Sequence, residues 1–164
     1  MGFWSRQIKH SVRATIIDAR RKQIAEHNKE VKIKEYAKSL LTSVSESTKI
    51  IKTTTKPEDF FSHYALLMES LEKLIELEEI GVLDNVNFRP RDSYQKLSDL
   101  FVDGTNDFIG RFFSELQTKV SELSSDNAKA DLIKRYFRSM DKHIVKMETE
   151  SINYYYSLKE QYLI

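Results

Sequence analysis

The stretch Phe60–Gly81, FFSHYALLMESLEKLIELEEIG, constrains this chain more than any other. Pro57 ahead of it suits a first helical turn, and Glu58 and Asp59 complement the positive end of a helix dipole. Gly81 then supplies a stop. Between these signals Phe60, Tyr64, Leu67, Leu71, Leu74 and Leu77 recur at steps of three and four. Phe61, Met68 and Ile75 each follow a member of that series and broaden the apolar face. The roughly 24 residues from Pro57 to Ile80 give a helix about 36 Å long, enough for the spine of a bundle.

The rest of the chain repeats this helical period. Residues 3–41 contain no Gly or Pro, and Trp4, Ile8, Val12 and Ile16 recur every four residues. That series predicts an apolar docking seam, with Arg6, Lys9, Arg13, Arg20, Arg21 and Lys22 on other faces as candidate contacts for an anionic partner. In Thr42–Thr55, eight of fourteen residues are Ser or Thr. Side-chain competition for backbone hydrogen bonds, together with β-branching, predicts a helix end and a loop there.

Beyond Gly81, Tyr94, Leu97, Phe101, Phe108, Phe112, Leu116, Val120 and Leu123 describe the inward face of a third helix, in which Asp103-Gly104 is a candidate kink. Ser124-Ser125-Asp126-Asn127 reads as a stop followed by a new N-cap. A second capping cluster at Met147–Ser151 divides the remainder into two helices.

The expectation is an all-α, mostly antiparallel bundle of about five helices with a long basic N-terminal helix, near 4–41, 57–80, 91–123, 127–145 and 149–162. Three segments follow from it: a basic N-terminal helix (1–45), a Ser/Thr-rich connection (46–56) and a helical bundle (57–164). The expected core is Phe60, Tyr64, Leu67, Leu71, Leu74, Phe101, Phe108, Phe112, Leu116, Ile133, Phe137 and Ile152.

A family resemblance accompanies this pattern. Phe60–Leu67 with Leu71, Leu74, Leu77 and Glu78, then Asn106–Arg111, then Glu150–Tyr154, resemble an uncharacterised all-helical module of small Gram-positive bacterial and phage proteins. The likeness spans roughly residues 57–160. It implies a helical bundle and carries no assigned activity.

Composition narrows the chemistry. With 164 residues, 40% hydrophobic and 31% charged, the chain fits one soluble globular domain. The absence of Cys removes disulfides, thiolate metal sites and Cys nucleophiles, and suits a cytoplasmic location. Early charges interrupt any signal peptide, no run approaches the length of a transmembrane segment, and Arg6 stands where a myristoylation motif needs Ser or Thr.

His10, His27, His63 and His143 are not at metal-ligand spacing, and no phosphate-binding loop or nucleophile elbow occurs. Asp59 and His63, at i and i+4, read as a surface ion pair, and Glu69, Glu72, Glu76 and Glu79 as a solvated acidic stripe. No catalytic residue, metal or cofactor is therefore expected.

The net charge of +1 conceals a polarity. Residues 1–56 carry 13 Lys/Arg against 5 Asp/Glu, and residues 57–164 carry 13 against 20. These features predict a non-enzymatic protein-interaction or scaffold module, with a protein partner or a homo-oligomer. The alternative is an anionic-surface binder, acting on a membrane surface or nucleic acid through the basic helix.

Overall fold

The computed structural model describes the backbone of residues 2–84 and 86–162 and the side chains of 13–84 and 86–162. Among them are six α-helices and no strand: α1 (Gly2–Thr53), α2 (Pro57–Glu79), α3 (Pro90–Asp99), α4 (Phe101–Ser121), α5 (Asp126–Asp141) and α6 (Thr149–Lys159). Short 3₁₀ turns follow α5 at Ile144–Lys146 and α6 at Glu160–Tyr162. The fold class is all-α, as the periodicity predicts. The chain divides into two compact units, Met1–Ser39 and Leu40–Ile164.

The first unit is a single stretch of α1, whose helix continues into the second unit. That continuation corrects the sequence reading, since the Ser/Thr run is helical as far as Thr53 and only residues 54–56 lie between α1 and α2. Tertiary burial offsets the poor propensity. Thr48 donates its hydroxyl to the Val44 carbonyl at 2.6 Å, and Thr53 donates to that of Lys49 at 2.9 Å, so these hydroxyls bond within the helix. Leu40, Ser47 and Ile51 are buried, with Val44 partly so, at steps of four, three and four. Ser47 hides this inward stripe from a reading based on apolar residues alone.

α2 matches its sequence signals closely. Pro57 opens it, with Glu58 and Asp59 in the first turn. At its end Gly81 takes φ +83°, a left-handed conformation that glycine adopts without a Cβ clash. There the Gly81 N–H donates to the Glu78 carbonyl and the Val82 N–H to that of Leu77, which satisfies two otherwise orphaned acceptors. Phe60, Phe61, Tyr64, Leu67, Leu71, Leu74 and Leu77 are buried.

The single helix expected over 91–123 is two. Leu100, with φ −97° and ψ 12°, separates α3 from α4, and Gly104 lies inside α4 without interrupting it. The break lets α3 pack on α2 while α4 packs on α5 and α6. Tyr64 donates its hydroxyl to the Leu97 carbonyl, one of those left without a helical partner where α3 ends. Burial pushes the Tyr64 phenol up to about 12.

The core of the second unit is aromatic. Phe60 stacks on Phe108 with ring centroids 4.5 Å apart and planes 7° from parallel. Phe112, Phe113, Phe137 and Tyr155 extend the cluster through tilted and edge contacts. Phe101, Ile133 and Ile152, expected in the core, are only partly buried. Met140, Met147 and Tyr155 are buried and join the core, although the expected core omits them.

Candidate functional site

In the first unit the described side chains of α1 are nearly all exposed. Of the candidate anion contacts, Arg13, Arg20, Arg21 and Lys22 are exposed, while Arg6 and Lys9 lie outside the described side chains. Of the seam, Trp4, Ile8 and Val12 lie outside them too, and Ile16 is 49% exposed.

A different apolar row stands out. Ile17, Ile24 and Val31 are 50%, 60% and 38% exposed and lie seven residues apart. At 3.6 residues per turn, a step of four drifts about 40° around the helix, whereas a step of seven drifts only about 20° the other way. The seven-residue row therefore holds one face over a distance where the four-residue series winds away. Arg13, Arg20, His27 and Lys34 form a second exposed row of the same period. It runs beside the first, each of the last three lying three residues after Ile17, Ile24 or Val31. Sequence reading by fours passed over both rows.

The second unit holds polar clusters with structural roles. Arg111 donates through Nη2 to the Ile51 carbonyl at 2.7 Å and through Nε to that of Thr54 at 3.2 Å. A cation there satisfies carbonyls at the end of α1 and complements the negative end of its dipole. Burial lowers the affinity of the guanidinium for its proton, and nearby Asp107 opposes that shift.

Glu115 accepts from the Tyr136 hydroxyl at 3.0 Å and pairs with Lys119 at 2.8 Å. Burial raises its pKa, but hydrogen bonds from Lys119, Thr55 and Tyr136 outweigh burial and hold the carboxyl below its ordinary value. Both residues line an open cleft of about 560 Å³ that also includes Pro57, Leu132 and Arg135. The Glu115–Lys119 spacing is legible in sequence; Tyr136, on another helix, is not.

Near the end of the chain, Tyr155 donates to Asp141 at 2.7 Å, and Lys159 pairs with the same carboxylate at 3.2 Å. The Lys159 ammonium sits 5.2–5.7 Å from the ring centroids of Phe137, Tyr155 and Tyr156. Burial, reinforced by the bond to Asp141, raises the Tyr155 phenol above its ordinary value.

The remaining sequence candidates do not converge on one centre. His63 has its Nδ1 3.5 Å from the Ser47 hydroxyl, and no ion pair joins it to Asp59 among the described residues. Ser47 is 1% exposed, which keeps its oxygen from an external substrate. His27 is exposed on α1, and His143 stacks on Phe61. Glu69 pairs with Lys73, Glu79 pairs with Arg91, and Glu72 accepts from the Tyr94 hydroxyl. Among the described residues no group of three or more His, Asp or Glu could hold a metal ion, and no helix is long and apolar enough to cross a membrane.

Fold and surface together define an all-α protein with an exposed helical face that is both basic and apolar. Comparison with family models, curated proteins and solved structures finds no significant match.

Proposed function

We propose that this chain is a non-enzymatic protein-interaction or scaffold module whose contact surface is α1 between Arg13 and Lys34. The observation that carries the reading is the exposed row Ile17, Ile24 and Val31. Fully burying such a side chain is worth about 1.5–3 kcal/mol, so three in register on one face give a partner helix a continuous gain. The basic row beside them favours a partner with acidic flanks. The inaccessibility of Ser47 and the structural ties of Glu115, Asp141 and Arg111 also support a binding role over a catalytic one.

A second reading, an anionic-surface binder on a membrane or nucleic acid, draws on the exposure of Arg13, Arg20, Arg21 and Lys22. Glu26 and Glu30, exposed on the same helical segment, weaken it, because they would be repelled by phosphate.

Photo-crosslinking from position 24 in cells separates these readings. The expected product is an adduct of protein mass that is lost in an Ile17→Ala/Val31→Ala background. Adducts to lipid or nucleic acid alone would transfer the assignment to the second reading, and no adduct at all would remove both.

A further inference from the structure

The second unit carries a basic face of its own, on α5. Residues 57–164 hold 13 Lys/Arg against 20 Asp/Glu, yet residues 126–146, which are α5 and the turn after it, hold six against three. Lys134, Arg138 and Lys142 recur every four residues with Arg135 beside them, and all four are exposed. At about 100° per residue they fall within an arc of about 100° on the helix surface. None of the four makes an ion pair among the described residues. The helix dipole accounts for cations in the last turn, at Arg138 and Lys142, but not for Lys134 and Arg135 nearly two turns from the end.

Two open clefts flank this face. One, of about 540 Å³, is lined by Lys134, Phe137, Arg138, Asp141, Lys142 and Lys159. The other, of about 520 Å³, shares Lys134 and Arg138 and adds Arg135 and Asp131. The Asp141 carboxylate is already engaged, since it accepts from Tyr155 at 2.7 Å and pairs with Lys159 at 3.2 Å. That leaves Asp131 as the one unpaired acid of the two linings, against four unpaired cations.

An exposed ring adjoins the first cleft. The Lys159 ammonium, in the cleft wall, lies 5.6 Å from the ring centroid of Tyr156. Burial of Tyr155 in the core turns this neighbour outward, and Tyr156 is 44% exposed.

We propose that the second unit binds a single strand of nucleic acid along α5, its phosphates against Lys134, Arg135, Arg138 and Lys142 and a base stacked on Tyr156. The face spans about 12 Å from Lys134 to Lys142, the length of three or four phosphates at about 3.4 Å each. Cations along a groove with an aromatic ring at its edge suit a strand whose bases are free to stack. A duplex keeps its base faces inside its own stack and gains nothing from Tyr156. A lipid surface fits less well, because α5 buries Phe137 and Met140 in the core, and the exposed Val145 just beyond it is a single anchor. The site is separate from α1 and does not depend on the interaction role of that helix.

Fluorescence anisotropy of the full chain with a labelled oligothymidylate of about 12 nucleotides tests this. Four phosphate contacts at about −0.7 each give a log–log salt slope near −2.8, so affinity should fall about 50-fold between about 50 and 200 mM salt. Lys134→Gln/Arg138→Gln should bring the slope to about −1.4 and that fall to about sevenfold, with unchanged helical circular dichroism. Tyr156→Leu should weaken binding at least about fivefold and leave the slope alone. Arg20→Gln/Lys22→Gln on α1 should alter neither. A chain that leaves the oligonucleotide free, an α5 variant with the parent slope, a Tyr156→Leu variant that binds as tightly as the parent, or a duplex of the same length bound more tightly than the strand would each overturn the site. Binding lost in the α1 variant and kept in the α5 variant would overturn it as well, and would move nucleic-acid contact to the N-terminal helix. Phosphatidylserine vesicles that outcompete the strand on the parent and fail to bind the α5 variant would make the face a lipid site instead.

Discussion

Arg111 on α4 donates to the Ile51 carbonyl at 2.7 Å and so closes the last turn of a helix 60 residues earlier in the chain. Its second bond, to Thr54, holds the chain where it turns from α1 towards α2. One side chain thus satisfies a helix end that contains no C-terminal Gly and ends in Ser/Thr-rich sequence.

Arg111→Ala should therefore destabilise the second unit by about 1–3 kcal/mol, the range for losing a charged donor from partly buried carbonyls. Arg111→Lys should recover only part of this, because an ammonium lacks the planar fork that reaches both oxygens. Urea midpoints of the three proteins check the order; an alanine variant as stable as the parent would remove Arg111 from this role.

Leu71 is fully buried in the middle of α2. Leu71→Ala should leave a cavity and cost about 2–5 kcal/mol. A denaturation midpoint equal to that of the parent would contradict its placement.

The Glu115 carboxyl is depressed in the fold although burial alone would raise it. A depressed carboxyl contributes stability that is present above its unfolded-state value and is lost as pH falls through its folded-state value. Stability should therefore decline in the acid range, from around the ordinary Glu value downwards, and part of that decline should vanish in Glu115→Gln. Parallel acid profiles for parent and variant, measured by chemical denaturation between neutral pH and about pH 3, would show that Glu115 makes no such contribution.

Lys159 fixes α6 through the Asp141 carboxylate and three aromatic rings. Lys159→Met keeps much of the stem and removes the charge, so the loss should be about 0.5–2 kcal/mol. Hydrogen exchange should accelerate across Thr149–Lys159 while α2 keeps its protection. Uniform acceleration through both helices would mean that α6 opens only with the whole unit.

Where structure is fixed within a few residues, the sequence by itself determined it. Pro57, the acidic first turn and Gly81 set the bounds of α2, and the steps of three and four from Phe60 to Leu77 set its buried face. Ser125 capping α5 through the Ala128 N–H is another local outcome. Tertiary structure alone decided the rest. The Ser/Thr run is poor helix by propensity, and it is held helical by burial of Leu40, Ser47 and Ile51 and by a guanidinium from α4. The chain breaks at Leu100 with no Gly or Pro there, as α3 packs on α2 and α4 on α5 and α6, with the freed Leu97 carbonyl taken by Tyr64. Propensity and periodicity act between near neighbours, so they are legible in order along the chain. Hydrogen bonds such as those of Arg111 and Tyr64 join groups dozens of residues apart, and only the folded chain brings their partners within reach.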